Sequence, residues 1–195
     1  MARYEDPHFL PGGRSLIAIS DRDSDVRRLV EIDLATGTER VLTPGLKWDV
    51  EAYDLSGDGR ILAYSVNEDG VSRVVVQDRG VTRRALPQPV LPKGVLSGLK
   101  FAPDNRRLAV GLSTATSAGD VWTHDAVAGG ALTRWTNSEL GDLDPAKLAE
   151  PSLIRFKSFD GLSVPAFVYR PTNVPAGART PVIIDIHGGP EAQTR

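Results

Sequence analysis

The sequence predicts a mainly β chain: a partial β-propeller of about three four-stranded blades, followed by a segment of different fold. Three observations carry this: a repeat of constant period, a turn residue at one fixed column of that repeat, and the end of the repeat well before residue 195. Leu10-Pro11-Gly12-Gly13-Arg14-Ser15-Leu16-Ile17, Ser56-Gly57-Asp58-Gly59-Arg60-Ile61-Leu62-Ala63 and Ala102-Pro103-Asp104-Asn105-Arg106-Arg107-Leu108-Ala109 align at a spacing of 46 residues. Self-similarity at such a period marks an architecture of stacked supersecondary units.

The columns of the repeat make physical sense. Gly13, Gly59 and Asn105 share one column, and Gly and Asn best tolerate the positive φ that tight hairpin turns demand. Arg14, Arg60 and Arg106 follow, then Leu16, Leu62 and Leu108 inside apolar runs (Leu16–Ile19, Ile61–Val66, Leu108–Leu112) that read as buried strands. A second strand ends on aspartate in each unit: Leu29–Asp33, Val74–Asp78 and Val121–Asp125. Turns at Gly37, Gly80 and Gly129-Gly130 lead to last strands at Arg40–Leu42, Thr82–Leu86 and Ala131–Trp135. Strands near Val50–Asp54 and Ser97–Phe101 open the second and third units. Four short strands in 40 to 50 residues is the pattern of a propeller blade, with blades expected near 3–43, 48–87 and 96–137. Propellers typically close with four to eight blades, so further blades are expected upstream or from another chain.

The repeat fails after Asn137. Residues 1–142 are read as the partial propeller, 143–151 as a connector and 152–195 as the start of a second domain. In the connector Asp144 suits an N-cap, Pro145 the first helical position and Pro151 the stop. Beyond it Leu153–Ser158 and Val164–Tyr169 read as a hairpin about an Asp160-Gly161 turn. After a polar loop over Pro171–Thr180, Pro181–Ile186 reads as an apolar strand of the sheet-centre type, running into His187-Gly188-Gly189-Pro190.

An apolar strand delivering His-Gly-Gly at its carboxyl end is the arrangement by which α/β-hydrolases present a backbone N–H to an oxyanion. Glycines serve there because a side chain would obstruct the substrate carbonyl. Fixed donors stabilise the charge of a tetrahedral intermediate. His187, Gly188 and Gly189 are therefore the candidate oxyanion-hole loop.

With these residues in order (blades, connector, Arg155-Phe156-Lys157-Ser158-Phe159-Asp160-Gly161, Tyr169-Arg170-Pro171 and His187-Gly188-Gly189-Pro190), the chain resembles the prolyl oligopeptidase family of serine peptidases. The acylaminoacyl-peptidase-like and dipeptidyl-peptidase-like branch is the nearest in pattern. The resemblance implies an α/β-hydrolase domain after the connector, hydrolysis of short peptides, and a propeller that restricts access to the active site. It also implies that His187 stands where several members carry an oxyanion-hole tyrosine, and that His187 is not the triad histidine.

The family's Gly-x-Ser-x-Gly elbow is not found. Gly111-Leu112-Ser113-Thr114-Ala115 and Gly161-Leu162-Ser163-Val164-Pro165 both fail at the last glycine. No member of the catalytic triad is expected within these residues, and the chain alone is expected to be inactive. The alternative is a non-catalytic propeller binding module resembling TolB-like repeats, which would begin another blade near residue 148.

Composition excludes other classes. With 41% hydrophobic and 25% charged residues the chain is ordinary globular material. A net charge of -2 argues against nucleic-acid or anionic-membrane partners. The absence of cysteine removes disulfides and thiolate metal sites. No cofactor or metal is expected: Asp21-Arg22-Asp23-Ser24-Asp25 imitates a calcium loop, but Val26 and Ile32 stand where glycine and the final acidic ligand belong. His8 and His124 are isolated. The pairs Arg27-Arg28, Arg83-Arg84 and Arg106-Arg107 read as solvated strand-edge charges beside acidic residues. No apolar leader follows Met1, and a cytoplasmic location is the expectation.

Overall fold

The computed structural model describes residues 2–80, 84–175, 177–189 and 193. Its first sheet has the strand order β1 (Tyr4–Phe9), β2 (Ser15–Ser20), β3 (Arg28–Asp33), β4 (Glu39–Val41). The second holds β5 (Val50–Leu55), β6 (Ile61–Glu68) and β7 (Val71–Asp78). The third holds β8 (Val95–Phe101), β9 (Arg107–Thr114), β10 (Ser117–Asp125) and β11 (Thr133–Arg134). All pairings are antiparallel between chain neighbours, which is the meander of successive propeller blades.

The predicted turn column is seen directly: φ is +66° at Gly13, +69° at Gly59 and +59° at Asn105. Aspartate one place earlier ties two of these turns. Asp58 accepts from the Ser56 hydroxyl (2.5 Å) and the Arg60 N–H (3.0 Å), and Asp104 accepts from the N–H groups of Arg106 (3.0 Å) and Arg107 (2.9 Å).

Two apolar layers lie between consecutive sheets. Ile17, Ile19 and Leu29 of the first sheet pack with Val50, Tyr53, Leu62, Tyr64 and Val66 of the second. From the other face of the second sheet, Ile61, Ala63, Val74 and Val76 pack with Phe101, Leu108 and Val110 of the third. Strand alternation explains the division: along β6 the odd-numbered residues face forward and the even-numbered ones back.

Polar clasps complete both layers. The buried Tyr53 hydroxyl reaches the Asp6 and Ile17 carbonyl oxygens, 2.6 Å each. Burial, with the Asp6 and Asp54 carboxylates nearby, pushes its pKa well above the usual tyrosine range, so it stays protonated. Asp54, also buried, accepts from the Phe101 N–H (2.6 Å) and the Lys100 ammonium (2.8 Å) of the third sheet.

Two expectations need correction. The last strand of the second unit, expected at Thr82–Leu86, is not seen: Thr82 lies outside the described residues, and residues 84–92 have no strand. The side-chain amide of Gln88 takes its place at one position, accepting from the Val76 N–H (2.9 Å) and donating to the Val76 carbonyl (2.8 Å), as a ladder neighbour would. Nor is Pro181–Ile186 a buried strand. It has no strand assignment, and Val182, Ile183, Ile184 and Ile186 are 79–94% exposed. A sheet-centre strand exists only between neighbours that complete its ladder, and no described strand flanks this one.

A 3₁₀ turn covers Pro145–Lys147, with the Asp144 carboxylate accepting from the Ala146 N–H at 3.0 Å. The hairpin follows as β12 (Ser152–Lys157) and β13 (Ser163–Val168), with Gly161 at φ +86° in its turn. Among the described residues no helix is long and apolar enough to cross a membrane.

Candidate functional site

The hairpin and the tail meet the second sheet at the β6–β7 turn. The Arg155 guanidinium pairs with Asp69, the Asn67 side-chain amide donates to the Gln193 side-chain Oε1 at 2.6 Å, and the Phe167 ring lies against Gly70. Gly70 has φ +84°, and a Cβ there would stand 2.7 Å from the Phe167 ring. Glycine is thus needed both for the turn and for the hairpin's approach.

Beyond β13 the chain reaches His187, Gly188 and Gly189 in exposed backbone without strand or helix, Gly189 at a bend. The His187 Nδ1 lies 3.1 Å from the Gly188 carbonyl oxygen. Gly189 sits at φ +110°, a conformation that L side chains rarely adopt. A Cβ on Gly188 would meet nothing within 4 Å. The three residues therefore offer backbone N–H groups and one imidazole on an unobstructed stretch of chain. Pro190 lies outside the described residues.

The residues weighed and set aside from sequence have structural places. Asp21–Asp25 forms the tip between β2 and β3, where the Asp21 carboxylate accepts from the Arg3 N–H at 2.7 Å. His8 tilts over the Tyr53 ring at 5.1 Å. His124 is buried, with Nε2 at 3.2 Å from the Pro87 carbonyl. Arg27 pairs with Asp49 and Glu5, Arg84 with Asp78, Arg106 with Asp125 and Arg107 with Asp104; Arg83 lies outside the described residues. Among the described residues no group of three or more His, Asp or Glu is placed to hold a metal.

A feature that sequence reasoning missed lies between the second and third sheets. The strand that opens each of the three sheets carries a β-bulge near its start: at Asp6-Pro7 in β1, at Glu51 in β5 and at Ser97 in β8. Such bulges re-aim side chains and break the ladder locally. Between the last two sheets they border a cavity of about 350 Å³ lined by Arg27, Glu51, Ala52, Ser65, Leu96, Ser97 and Gly98. The signal was available in the repeat, because Ser65 and Gly111 occupy the column that holds Ile19 in the first unit.

No protein-family model matches the chain, and no curated protein matches it. Solved structures do. A prolyl endopeptidase structure superposes with a TM-score of 0.71 at 17% identity, covering 89% of this chain and 25% of that one. Prolyl oligopeptidase B from Galerina marginata, bound to a 25mer macrocyclization substrate, gives a TM-score of 0.70 at 14% identity over 86% and 23%. Puromycin hydrolase gives 0.69 at 21% identity over 91% and 27%. The chain shares the fold of about a quarter of these enzymes. Residues 1–142 are about 73% of the chain, so a match over 89% extends past the three sheets.

Proposed function

We propose that this chain is the late propeller and the opening of the catalytic domain of a serine peptidase of the prolyl oligopeptidase type, acting on short peptides. In this reading residues 1–142 belong to the propeller, 143–151 to the connector and 152–195 to the hydrolase domain. The single observation that carries it is the break after the third sheet. A propeller module would begin a fourth blade near residue 148; a capped 3₁₀ turn and a separate two-stranded hairpin stand there instead. Superposition on prolyl endopeptidase across that break supports the same reading.

His187, Gly188 and Gly189 then form the oxyanion loop. Their N–H groups contribute once the preceding apolar run is held between neighbouring strands, because an oxyanion hole works through donors fixed before charge develops. The nucleophile, base and acid come from outside residues 1–195.

The test uses this chain beside the longer product encoded with its flanking DNA. The longer product is expected to cleave short peptide substrates and to react with a fluorophosphonate probe at one serine outside residues 1–195. The chain alone is expected to do neither. Stoichiometric labelling of a serine within this chain, or an inert longer product, would refute the proposal. In the longer product, Gly188→Val probes the loop by setting a side chain where the substrate carbonyl would approach, with a urea midpoint measured alongside to show that the variant stays folded. Its kcat is expected to fall about 10²- to 10³-fold with KM nearly unchanged, as for loss of one oxyanion donor.

A further inference from the structure

The chain is pinned where it leaves the third sheet, and the hairpin beyond is held to the sheets at a single turn. The pin is Asp120 on β10. Its buried carboxylate accepts from the Ser117 hydroxyl (2.5 Å), the Thr136 hydroxyl (2.9 Å), the Ser138 N–H (2.8 Å) and the Arg134 guanidinium. The Ser138 hydroxyl also reaches the Gly119 carbonyl oxygen. Several donors on one buried carboxylate fix the segment that carries them. The chain therefore leaves the third sheet at Ser138 in a set direction.

Past Ser138 that anchoring stops. Among the described residues the hydrogen bonds of 139–151 are local. They run from the Leu143 N–H to the Leu140 carbonyl (3.2 Å), from the Lys147 N–H to the Asp144 carbonyl (3.0 Å) and from the Leu148 N–H to the Pro145 carbonyl (3.2 Å). The Asp144 carboxylate takes up the Ala146 N–H and the Lys147 ammonium. The hairpin that follows adds nothing to the core: all six residues of β12 are exposed, and neither apolar layer includes a hairpin residue.

What meets the hairpin is the β6–β7 turn, and it is built before anything touches it. Asp69 (φ +53°) and Gly70 (φ +84°) both take positive φ, and the Asn67 side-chain oxygen accepts from the Gly70 N–H at 2.7 Å. On the hairpin Leu153 pairs with Phe167 and Arg155 follows two residues on, so Phe167 and Arg155 share one face. That face meets the turn: Arg155 pairs with Asp69, and the Phe167 ring covers Gly70 where a Cβ would not fit. Asn67 reaches Gln193 from the same turn. The Arg155 and Asp69 side chains are 45% and 25% exposed, and a pair so exposed adds little and is screened by salt. A contact of this size opens far more readily than the two apolar layers.

We propose that the hairpin is a strap that docks reversibly on the β6–β7 turn, with Asp69 and Gly70 as its socket, residues 139–151 as its pivot and Asp120 as the pin behind the pivot. The inference rests on contacts within this chain and is measured without any peptidase activity.

The experiment is NMR on the full chain. The sequence has no cysteine, so a nitroxide on Ser152→Cys, an exposed position of β12, labels the hairpin alone. Broadening of the Asp69 and Gly70 amide resonances reports docking. It is expected at low salt, and to weaken in about 1 M NaCl, where screening acts over about 3 Å. Asp69→Asn keeps a residue that tolerates positive φ. It is expected to lower the docked-to-undocked ratio about threefold and to remove the salt dependence. Phe167→Ala is expected to lower that ratio about tenfold, and Gly70→Ala to prevent docking by setting a Cβ against the ring. The Ser138 amide shift is expected to stay constant throughout, since the pin lies before the pivot. Broadening undiminished in Asp69→Asn or in Phe167→Ala, no broadening in the otherwise unchanged chain, no response to salt, or a Ser138 shift that follows docking would each overturn the proposal. Because Asp69→Asn and Phe167→Ala leave Gly70 in place, they decide the matter even if Gly70→Ala distorts the turn.

Discussion

Ile19 and Ser65 face the next sheet from equivalent strands, yet one closes its interface and the other leaves it open. In the first interface an unbroken apolar row runs from Ile17 through Ile19 against Val50 and Val66. In the second, the row Ile61, Ala63 stops short of Ser65, and bulged strands at Glu51 and Ser97 border the gap. The lesson is about repeats. Where units share a backbone, a departure at one column is more informative than the conserved columns around it, because packing alone would have kept the apolar residue.

The largest expected effect comes from opening the closed interface. Ile19→Ala removes buried methylenes from a packed apolar layer and should cost about 3 kcal/mol. Ser65→Ala, at the same column, should instead be neutral or stabilise by up to about 1 kcal/mol, since it removes a buried hydroxyl that has no hydrogen-bond partner among the described residues. Urea unfolding of the two variants checks the pair. Loss of stability of similar size in both would end the distinction between the interfaces.

Next come the polar clasps. Asp54→Ala leaves the Phe101 N–H buried without its acceptor and removes the Lys100 contact, an expected loss of about 2 kcal/mol. Tyr53→Phe removes only the hydroxyl that reaches Asp6 and Ile17 in the first interface, with an expected loss of about 1 kcal/mol. Denaturation midpoints at constant m-value measure both, and a larger loss from Tyr53→Phe than from Asp54→Ala would reverse the expected order of the two clasps.

The same contrast shows what the sequence makes legible. The period and the turn column translate directly into backbone, because Gly13, Gly59 and Asn105 occupy a conformation few other residues accept. Strand positions in the three sheets followed from apolar runs, and the 3₁₀ turn from Asp144 and Pro145. The bulges did not, since one extra residue in a strand leaves the local composition unchanged. That residues 84–92 form no strand was illegible, because Gln88 satisfies Val76 through its side chain and such a contact has no period. Pro181–Ile186 has the composition of a sheet centre, but composition cannot supply the neighbours such a strand requires. Of the candidate site, the motif His187-Gly188-Gly189 was legible, and the cavity was legible only as the break in the Ile19 column.

The smallest effect distinguishes the two aspartate-tied turns, which flank the second interface. Asp104 accepts from two backbone N–H groups and from the Arg107 guanidinium (2.6 Å). These bonds, the Arg107 N–H foremost, lower its pKa to about 2. Asp58 is lowered as well, chiefly by the Ser56 hydroxyl. A carboxylate whose folded pKa lies below its unfolded value of about 3.9 contributes stability above that value and loses it as pH falls through the folded pKa. The Asp104 contribution is thus complete above about pH 4 and fades between about pH 4 and pH 2. Asp104→Asn should therefore lower the urea midpoint slightly at pH 6, and its difference from the parent chain should shrink on acidification to pH 3. Both aspartates sit at exposed turn tips, so the change is expected to be small beside that of Ile19→Ala. Asp58→Asn should show the same sign, reduced further because the Ser56 hydroxyl can still bond an amide oxygen. A difference for Asp104→Asn that grows toward low pH would contradict the charged-acceptor account of this turn and leave the φ of Asn105 as what fixes it.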